Sequence, residues 1–240
     1  EIAAPAGVDA TRIVLFGLGE KSKLDGNGAE KAVAGVIKSV LTSGAKAVSV
    51  HLDGDADQLC RGALGATLAS YRFDTYRTKL SEDKKPSVTS VEMVSSHASA
   101  AEKLWAQWGP VADGVTLARD LVNETPNALY PESYAEKVKE ISKLGLEIEV
   151  FGEEEMEKYG MHALLGVGQG SVRESKMVVM KWDGGKSGDK PLAFIGKGVT
   201  FDSGGISLKP GQGMDEMKGD MGGSAAVVGL MAALAGRKAK

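Results

Sequence analysis

Residues 192–220 read LAFIGKGVTFDSGGISLKPGQGMDEMKGD. The first four residues are all apolar, so both faces of a strand formed there would be buried, as in the centre of a parallel or mixed sheet. A loop rich in glycine, lysine and aspartate follows directly, at the strand end where open α/β sheets bind ligands. The stretch therefore predicts a central strand over Leu192–Ile195 that leads into a binding loop.

Short apolar runs alternate with longer helical patterns on either side of this stretch. The predicted strands are Ile13–Phe16, Ala47–Leu52, Ser87–Val94, Leu146–Phe151 and Met177–Trp182. The predicted helices are Ala29–Leu41, Ala56–Tyr71, one that opens with Pro131, Glu153–Tyr159 and Ser224–Ala235, with a polar turn at Asp183–Lys190. Because parallel strands need a crossover, usually a helix, the alternation indicates an α/β fold.

A helical segment divides the chain into two parts. Residues 97–122 carry apolar side chains at helical spacing, interrupted at Gly109-Pro110, and predict a pair of connecting helices. We expect one α/β domain over residues 1–96 and the first part of a second over residues 123–240.

Composition excludes several classes of protein. The 29 basic and 32 acidic residues are mixed along the chain, which gives no strong field for nucleic acid or for an anionic membrane. Cys60 is the only cysteine, so no disulfide can form within the chain, and the apolar stretches fall short of the roughly 20 residues that span a bilayer. No signal peptide is visible at Glu1. These features predict a cytoplasmic protein.

The loop after the predicted central strand holds two lysines and two aspartates. Asp202 and Asp220 offer oxygen ligands for a cation, and the glycines allow the backbone to approach a ligand. An ordinary solvated charge cluster is one alternative. Phosphate binding is another, because Gly222-Gly223-Ser224 precedes a helix, but the loop lacks the glycine order of phosphate-binding and dinucleotide-binding motifs.

The other polar candidates lack partners at ligand or catalytic spacing. His51, His97 and His162 are far apart in the sequence, and we expect structural or solvent-facing roles for them. Ser203 lies beside Asp202 but has no histidine near it in sequence, which argues against a serine nucleophile.

Two segments, Gly196–Pro210 and Met214–Gly223, resemble the first metal-binding block of the leucyl aminopeptidases, which are hexameric two-metal exopeptidases of the cytosol. Asn123–Pro131 resembles the start of their catalytic domain, and Gly166–Ser171 resembles another of their loops. The resemblance covers Ile13–Ala235. It implies an N-terminal macro-like α/β domain joined by helices to a C-terminal α/β/α catalytic domain with a central mixed sheet, truncated here.

The resemblance also implies roles for individual residues. Lys197 would bind a metal through its neutral amine, Asp202 would bind both metals, and Asp220 would complete one of the two sites. Lys209 would stay cationic and stabilise the oxyanion of the tetrahedral intermediate. Met217 would line the pocket for the first side chain of the substrate, although plain packing explains a methionine there equally well.

The implied activity is that of a metal-dependent aminopeptidase. Two divalent ions, zinc or manganese, would hold a bridging water, polarise the scissile carbonyl and bind the free α-amine of the substrate. Such an enzyme would act on peptides with a free N-terminus, would prefer leucine or other bulky apolar residues there, and would form a homohexamer.

Part of the family's machinery does not occur in the sequence. The second block, Asn-Thr-Asp-Ala-Glu-Gly-Arg, whose Asp and Glu bind metal and whose Arg holds a bicarbonate general base, is absent from the 240 residues. Three protein ligands cannot fill two coordination spheres. The chain also does not begin with Met, so we expect a fragment of a complete enzyme, incomplete at both ends. The alternatives are an inactive relative that serves assembly and a DNA-binding regulator, which the lack of a basic stripe disfavours.

Overall fold

A computed structural model describes residues 1–186, 188 and 190–240 of the chain. The predicted polar turn at Asp183–Lys190 includes Ser187 and Asp189, which lie outside the described residues. The chain divides into two compact units, Glu1–Ala112 and Asp113–Lys240. Each unit combines strands with helices, so the predicted α/β class is confirmed.

The first unit contains two long helices and a parallel pair of strands. Its elements in chain order are β1 (Ile2–Ala3), β2 (Arg12–Ile13), α1 (Gly26–Val40), β3 (Ala47–His51), α2 (Ala56–Ser70), β4 (Ser90–Val94) and the start of α3 (Ala98–Asn123). Strands β3 and β4 pair in parallel with Val50 opposite Met93, as the α/β pattern predicts. Val33, Ile37 and Leu59 are fully or nearly fully buried between the helices and this pair.

Both long helices of this unit begin at an aspartate. The Asp25 carboxylate accepts the Gly28 N–H at 2.7 Å, and the Asp55 carboxylate accepts the Gln58 N–H at 2.9 Å. The Gln58 side chain in turn accepts the Asp55 N–H at 3.0 Å, which completes a capping box. These bonds satisfy first-turn N–H groups that have no partner within the helix, and so they fix where α1 and α2 start.

Close contact between α1 and α2 depends on one glycine. A Cβ atom at Gly65 of α2 would lie 2.2 Å from the carbonyl oxygen of Glu30 in α1. Any side chain at this position would force the two helix backbones apart, since heavy atoms cannot approach so closely.

Two predictions for this region are wrong in detail. Val14, Leu15 and Phe16 form no strand, and only Ile13 of the predicted segment pairs, with Ile2 of β1. One helix, α3, replaces the predicted pair and continues through Pro110. Proline removes one backbone hydrogen bond from a helix interior, and buried Ala101, Ala112 and Leu121 on either side anchor the helix despite that loss.

The second unit places α7 in its core. Its further elements are α4 (Pro131–Lys139), β5 (Glu147–Phe151), α5 (Glu153–Lys158), α6 (His162–Gly168), β6 (Met177–Lys181) and α7 (Gly222–Gly236). Strands β5 and β6 pair antiparallel, with Ile148 opposite Met180. Buried Ala225 and Val228 of α7 pack in one cluster with Leu121 of α3 and Tyr134 of α4.

One helical stretch among the described residues, Met214–Gly236, is long and apolar enough to cross a membrane. The sequence prediction that no stretch reaches this length is therefore wrong. Met221, Ala225 and Val228 of the stretch are nevertheless buried in the core of the second unit, as in the core helix of a globular domain.

The predicted central strand Leu192–Ile195 is not formed in the described residues. The side chain of Leu192 is 85% exposed and that of Ile195 is 95% exposed. A central strand needs a hydrogen-bonding neighbour on each side and apolar cover on both faces, and no described strand pairs with this segment. The apolar residues indicated that the segment favours a strand, but they did not indicate which strands would pair with it.

Candidate metal centre

The loop from Gly196 to Asp220 folds back on itself at a glycine turn. Gly204 has a φ angle of +92°, and a Cβ atom there would lie 2.3 Å from the carbonyl oxygen of Ser207. Only glycine adopts this conformation in so little space. The Lys209 N–H then donates to the Ser203 carbonyl at 2.9 Å, so the turn returns Lys209 to the side of Asp202.

The ammonium group of Lys209 makes three contacts at this turn. Its Nζ lies 2.8 Å from the Asp202 carboxylate and donates to the Asp202 carbonyl oxygen at 3.1 Å. It also lies 3.2 Å from the Sδ atom of Met217. Lysine 209 is thus a fixed positive charge beside an apolar thioether, with about a third of its side chain exposed.

A second lysine–aspartate pair lies on the same loop. The Nζ atom of Lys197 is 2.7 Å from each carboxylate oxygen of Asp220. Only Oδ1 accepts a hydrogen bond of good geometry, and the buried Oδ2 has no hydrogen-bond partner. This oxygen therefore has the Lys197 charge beside it without a hydrogen bond, and a carboxylate in that position is also a suitable ligand for a metal ion.

Electrostatics link the two pairs. The hydrogen bond from Lys209 holds the pKa of Asp202 below its ordinary value, and the N–H of Gly204, 2.9 Å away, acts in the same direction. The positive charge of Lys197 lowers the pKa of Asp202 further. The structure thus joins Lys209 with Asp202 and Met217, and Lys197 with Asp220, and the Lys197 charge acts on Asp202 across the two groups.

Two supports of this loop were not predicted from the sequence. The Ser224 N–H of α7 donates to the Lys197 carbonyl at 2.9 Å. The ammonium of Lys218 donates to the Asn123 carbonyl at the end of α3, at 3.0 Å. Both contacts join residues distant in the sequence, and no local pattern could have indicated them.

The donor set fits a divalent cation but is small. Carboxylate oxygens and a neutral amine nitrogen are suitable ligands for zinc or manganese. Among the described residues, however, no group of three or more His, Cys, Asp or Glu side chains is arranged to hold a metal ion. Lys197, Asp202 and Asp220 can therefore supply part of a metal centre and not the whole of one.

The remaining polar candidates lie elsewhere. His51 and His97 belong to the first unit, and His162 is an exposed side chain 3.5 Å from Glu157. A cavity of about 600 Å³ opens near that histidine, between α5, α6 and the segment 171–174, and contains none of the five site residues.

Comparison with known proteins identifies the family of the chain. The model of the cytosol aminopeptidase catalytic domain matches residues 116–240, and that of the N-terminal domain of the same family matches residues 1–80. The chain belongs to the cytosol aminopeptidase family. The predicted resemblance to this family is thereby confirmed, and all five candidate site residues lie within the matched catalytic domain.

Members of the cytosol aminopeptidase family from several bacteria match the whole chain. A probable cytosol aminopeptidase of Caulobacter vibrioides is 49% identical over 243 residues, and one of Rhizobium etli is 48% identical over 244 residues. Each match covers 100% of this chain and 49% of the relative. The chain thus spans about half the length of the curated relatives it matches.

A solved structure shares the fold. The bottromycin maturation enzyme BotP in complex with Mn is 32% identical, with a TM-score of 0.75 over 92% of this chain and 46% of that enzyme. A second structure of BotP gives a TM-score of 0.74 at 31% identity.

Proposed function

We propose that this chain is part of a metal-dependent aminopeptidase that releases N-terminal residues, preferably leucine or other bulky apolar ones, from peptides. The observation that carries the proposal is the pair of lysine–aspartate contacts, Lys197 with Asp220 and Lys209 with Asp202, on one loop of the family's catalytic domain. In an ordinary solvated charge cluster the carboxylates would be exposed, whereas the Asp220 side chain is only 18% exposed beside the Lys197 ammonium.

Lys197, Asp202 and Asp220 are the proposed ligands of two divalent ions, zinc or manganese. The carboxylate oxygens of the two aspartates support this assignment, because they are suitable ligands for either ion. The related enzyme BotP, whose structure is a complex with Mn, supports it as well. When bound, the ions would supply an activated bridging water and would polarise the scissile carbonyl.

Lys209 is the proposed electrophile of the reaction. Its Nζ is held by the carboxylate and the carbonyl of Asp202, so the charge is in place before a substrate arrives. A fixed cation stabilises a developing oxyanion without reorganisation at the moment of reaction. Met217, in contact with Lys209, is the proposed wall of the pocket for the apolar side chain of the departing residue.

The remaining parts of the centre are proposed to come from outside these 240 residues. The relatives are about twice as long, and three ligands leave coordination positions of two ions open. We assign to the rest of the protein the second ligand block and the arginine that holds a bicarbonate. A homohexamer in the cytoplasm, acting on peptides with a free N-terminus, is the proposed working form.

Hydrolysis of leucine p-nitroanilide tests the proposal in the full-length gene product that contains this chain. A chelator should abolish the activity, and zinc or manganese should restore it. Full activity of a Lys197→Ala, Asp202→Ala double variant would overturn the proposal. The 240-residue chain alone should bind metal weakly and hydrolyse the substrate poorly, because its centre is incomplete.

A further inference from the structure

A partly buried hydrogen bond connects α4 with the first turn of α7. The Oη atom of Tyr134 lies 2.9 Å from the Oγ atom of Ser224. The Ser224 hydroxyl donates to the Met221 carbonyl at 2.8 Å, so its proton is committed and Tyr134 is the donor to Ser224. Burial raises the pKa of the Tyr134 hydroxyl, which keeps it protonated and able to donate.

The same turn of α7 also binds the backbone of the proposed ligand Lys197. Its Ser224 N–H, one of the first-turn groups without a helical partner, donates to the Lys197 carbonyl at 2.9 Å. The two backbones are in direct contact, since a Cβ atom at Gly196 would lie 2.5 Å from the Gly223 carbonyl oxygen. Displacement of this turn would therefore move the backbone of Lys197.

The turn also follows the second proposed ligand directly. Asp220 precedes the Met221 N-cap of α7, and its carboxylate lies 2.7 Å from the Nζ of Lys197. One helix turn thus bonds to the backbone of one ligand and continues the backbone of the other. Tyr134 is the side chain that fixes this turn from the core of the unit.

Packing alone does not require the two hydroxyl groups. Phenylalanine and alanine would fill almost the same volume without the cost of desolvating polar groups. The hydrogen bond between the two hydroxyl groups fixes the position of α4 against the first turn of α7 more strictly than apolar packing would.

We propose that Tyr134 and Ser224 are positioning residues of the metal centre, which hold Lys197 and Asp220 at bonding distance through the first turn of α7. The inference rests on the proposed function. It extends that function to two residues that would touch neither metal nor substrate.

The test compares Tyr134→Phe, Ser224→Ala and the double variant in the full-length gene product. Manganese affinity, followed by electron paramagnetic resonance of free Mn²⁺, should fall about three- to tenfold in each single variant, at the low end of the range for outer-shell partners of metal ligands. The double variant should lose no more than Ser224→Ala alone, because that change already removes the hydrogen bond to Tyr134 as well as the one to the Met221 carbonyl. In the metal-free protein, amide exchange at Ser224 should speed up in Tyr134→Phe.

Tyr159→Phe is the matched control, because Tyr159 is an exposed tyrosine of the same unit whose ring contacts Phe151 edge to face. It should change neither measurement. Equal manganese affinity in all variants, with only the denaturation midpoint lowered, would show a structural role and overturn the inference alone. Absence of manganese binding in the unsubstituted protein would overturn the proposed function together with it.

Discussion

The Nζ atom of Lys197 lies 2.7 Å from both carboxylate oxygens of Asp220, yet only Oδ1 accepts a hydrogen bond from it. The second oxygen is buried beside the same ammonium without a hydrogen bond. A metal ion bound to this carboxylate would take the place of the lysine charge as its counter-ion, and the first prediction tests whether Asp220 binds one.

Asp220→Asn should weaken manganese or zinc binding by at least about a hundredfold, because an amide supplies no negative charge to the ion. The matched control is Asp215→Asn, which removes an exposed carboxylate from the same loop. Calorimetric titration with each metal measures the difference. Equal loss in both variants would show that the general charge of the loop, and not Asp220, attracts the ion.

Lys209→Met should lower kcat in the full-length gene product by about a hundred- to a thousandfold, the usual effect of removing one oxyanion donor. Metal affinity should change only a few-fold, since Lys209 is not a proposed ligand. The pKa of Asp202 should rise towards its ordinary value, because the Lys209 hydrogen bond is the largest cause of its lowering. The matched control is Lys143→Met, which removes an exposed lysine of the same unit. Steady-state kinetics compares the two variants, and full activity of both would contradict the role assigned to Lys209.

Gly65→Ala should destabilise the protein by about 1–3 kcal/mol, the usual cost of overpacking, since the added methyl group would meet the Glu30 carbonyl. Gly35→Ala is the matched control in α1, where a Cβ atom meets nothing within 4 Å. That change should be neutral or should stabilise by about 0.5–1 kcal/mol, because alanine favours helix. Urea denaturation of both variants gives the comparison, and equal midpoints would show that the helices do not approach as described.

Glu174 should titrate below its ordinary value of 4.5, chiefly because Lys176 donates to its carboxylate at 2.7 Å. The Glu153 N–H at the start of α5 also donates to it, at 3.0 Å. A carboxyl group with a lowered pKa stabilises the fold at neutral pH, and this contribution is lost as the pH falls through the lowered pKa. Lys176→Met should raise the pKa of Glu174 in an NMR titration. Lys158→Met, which removes the partner of Glu154, should not.

The sequence was sufficient to predict the α/β class and to select a loop as the candidate site. Within that loop Lys197 contacts Asp220, and Lys209 contacts Asp202 and Met217. The roles assigned to these five residues stay predictions until the variants are measured.

Long-range partners were beyond sequence reasoning. Tyr134 and Ser224 are 90 residues apart, and a tyrosine at a core position of a helix gives no sign of what its hydroxyl will meet. The segment Leu192–Ile195 shows the same limit, since here a predicted element lacks the long-range partner that it needs. Apolarity predicts that a strand is favourable, but a strand exists only where another strand binds its backbone.

That segment has a practical consequence for anyone who handles the chain in solution. Phe194 and Ile195 are exposed apolar residues in a segment that pairs with no described strand, and exposed apolar residues of this kind favour aggregation between separate molecules. Light scattering of the 240-residue chain should therefore rise with concentration and fall when a charge replaces Phe194.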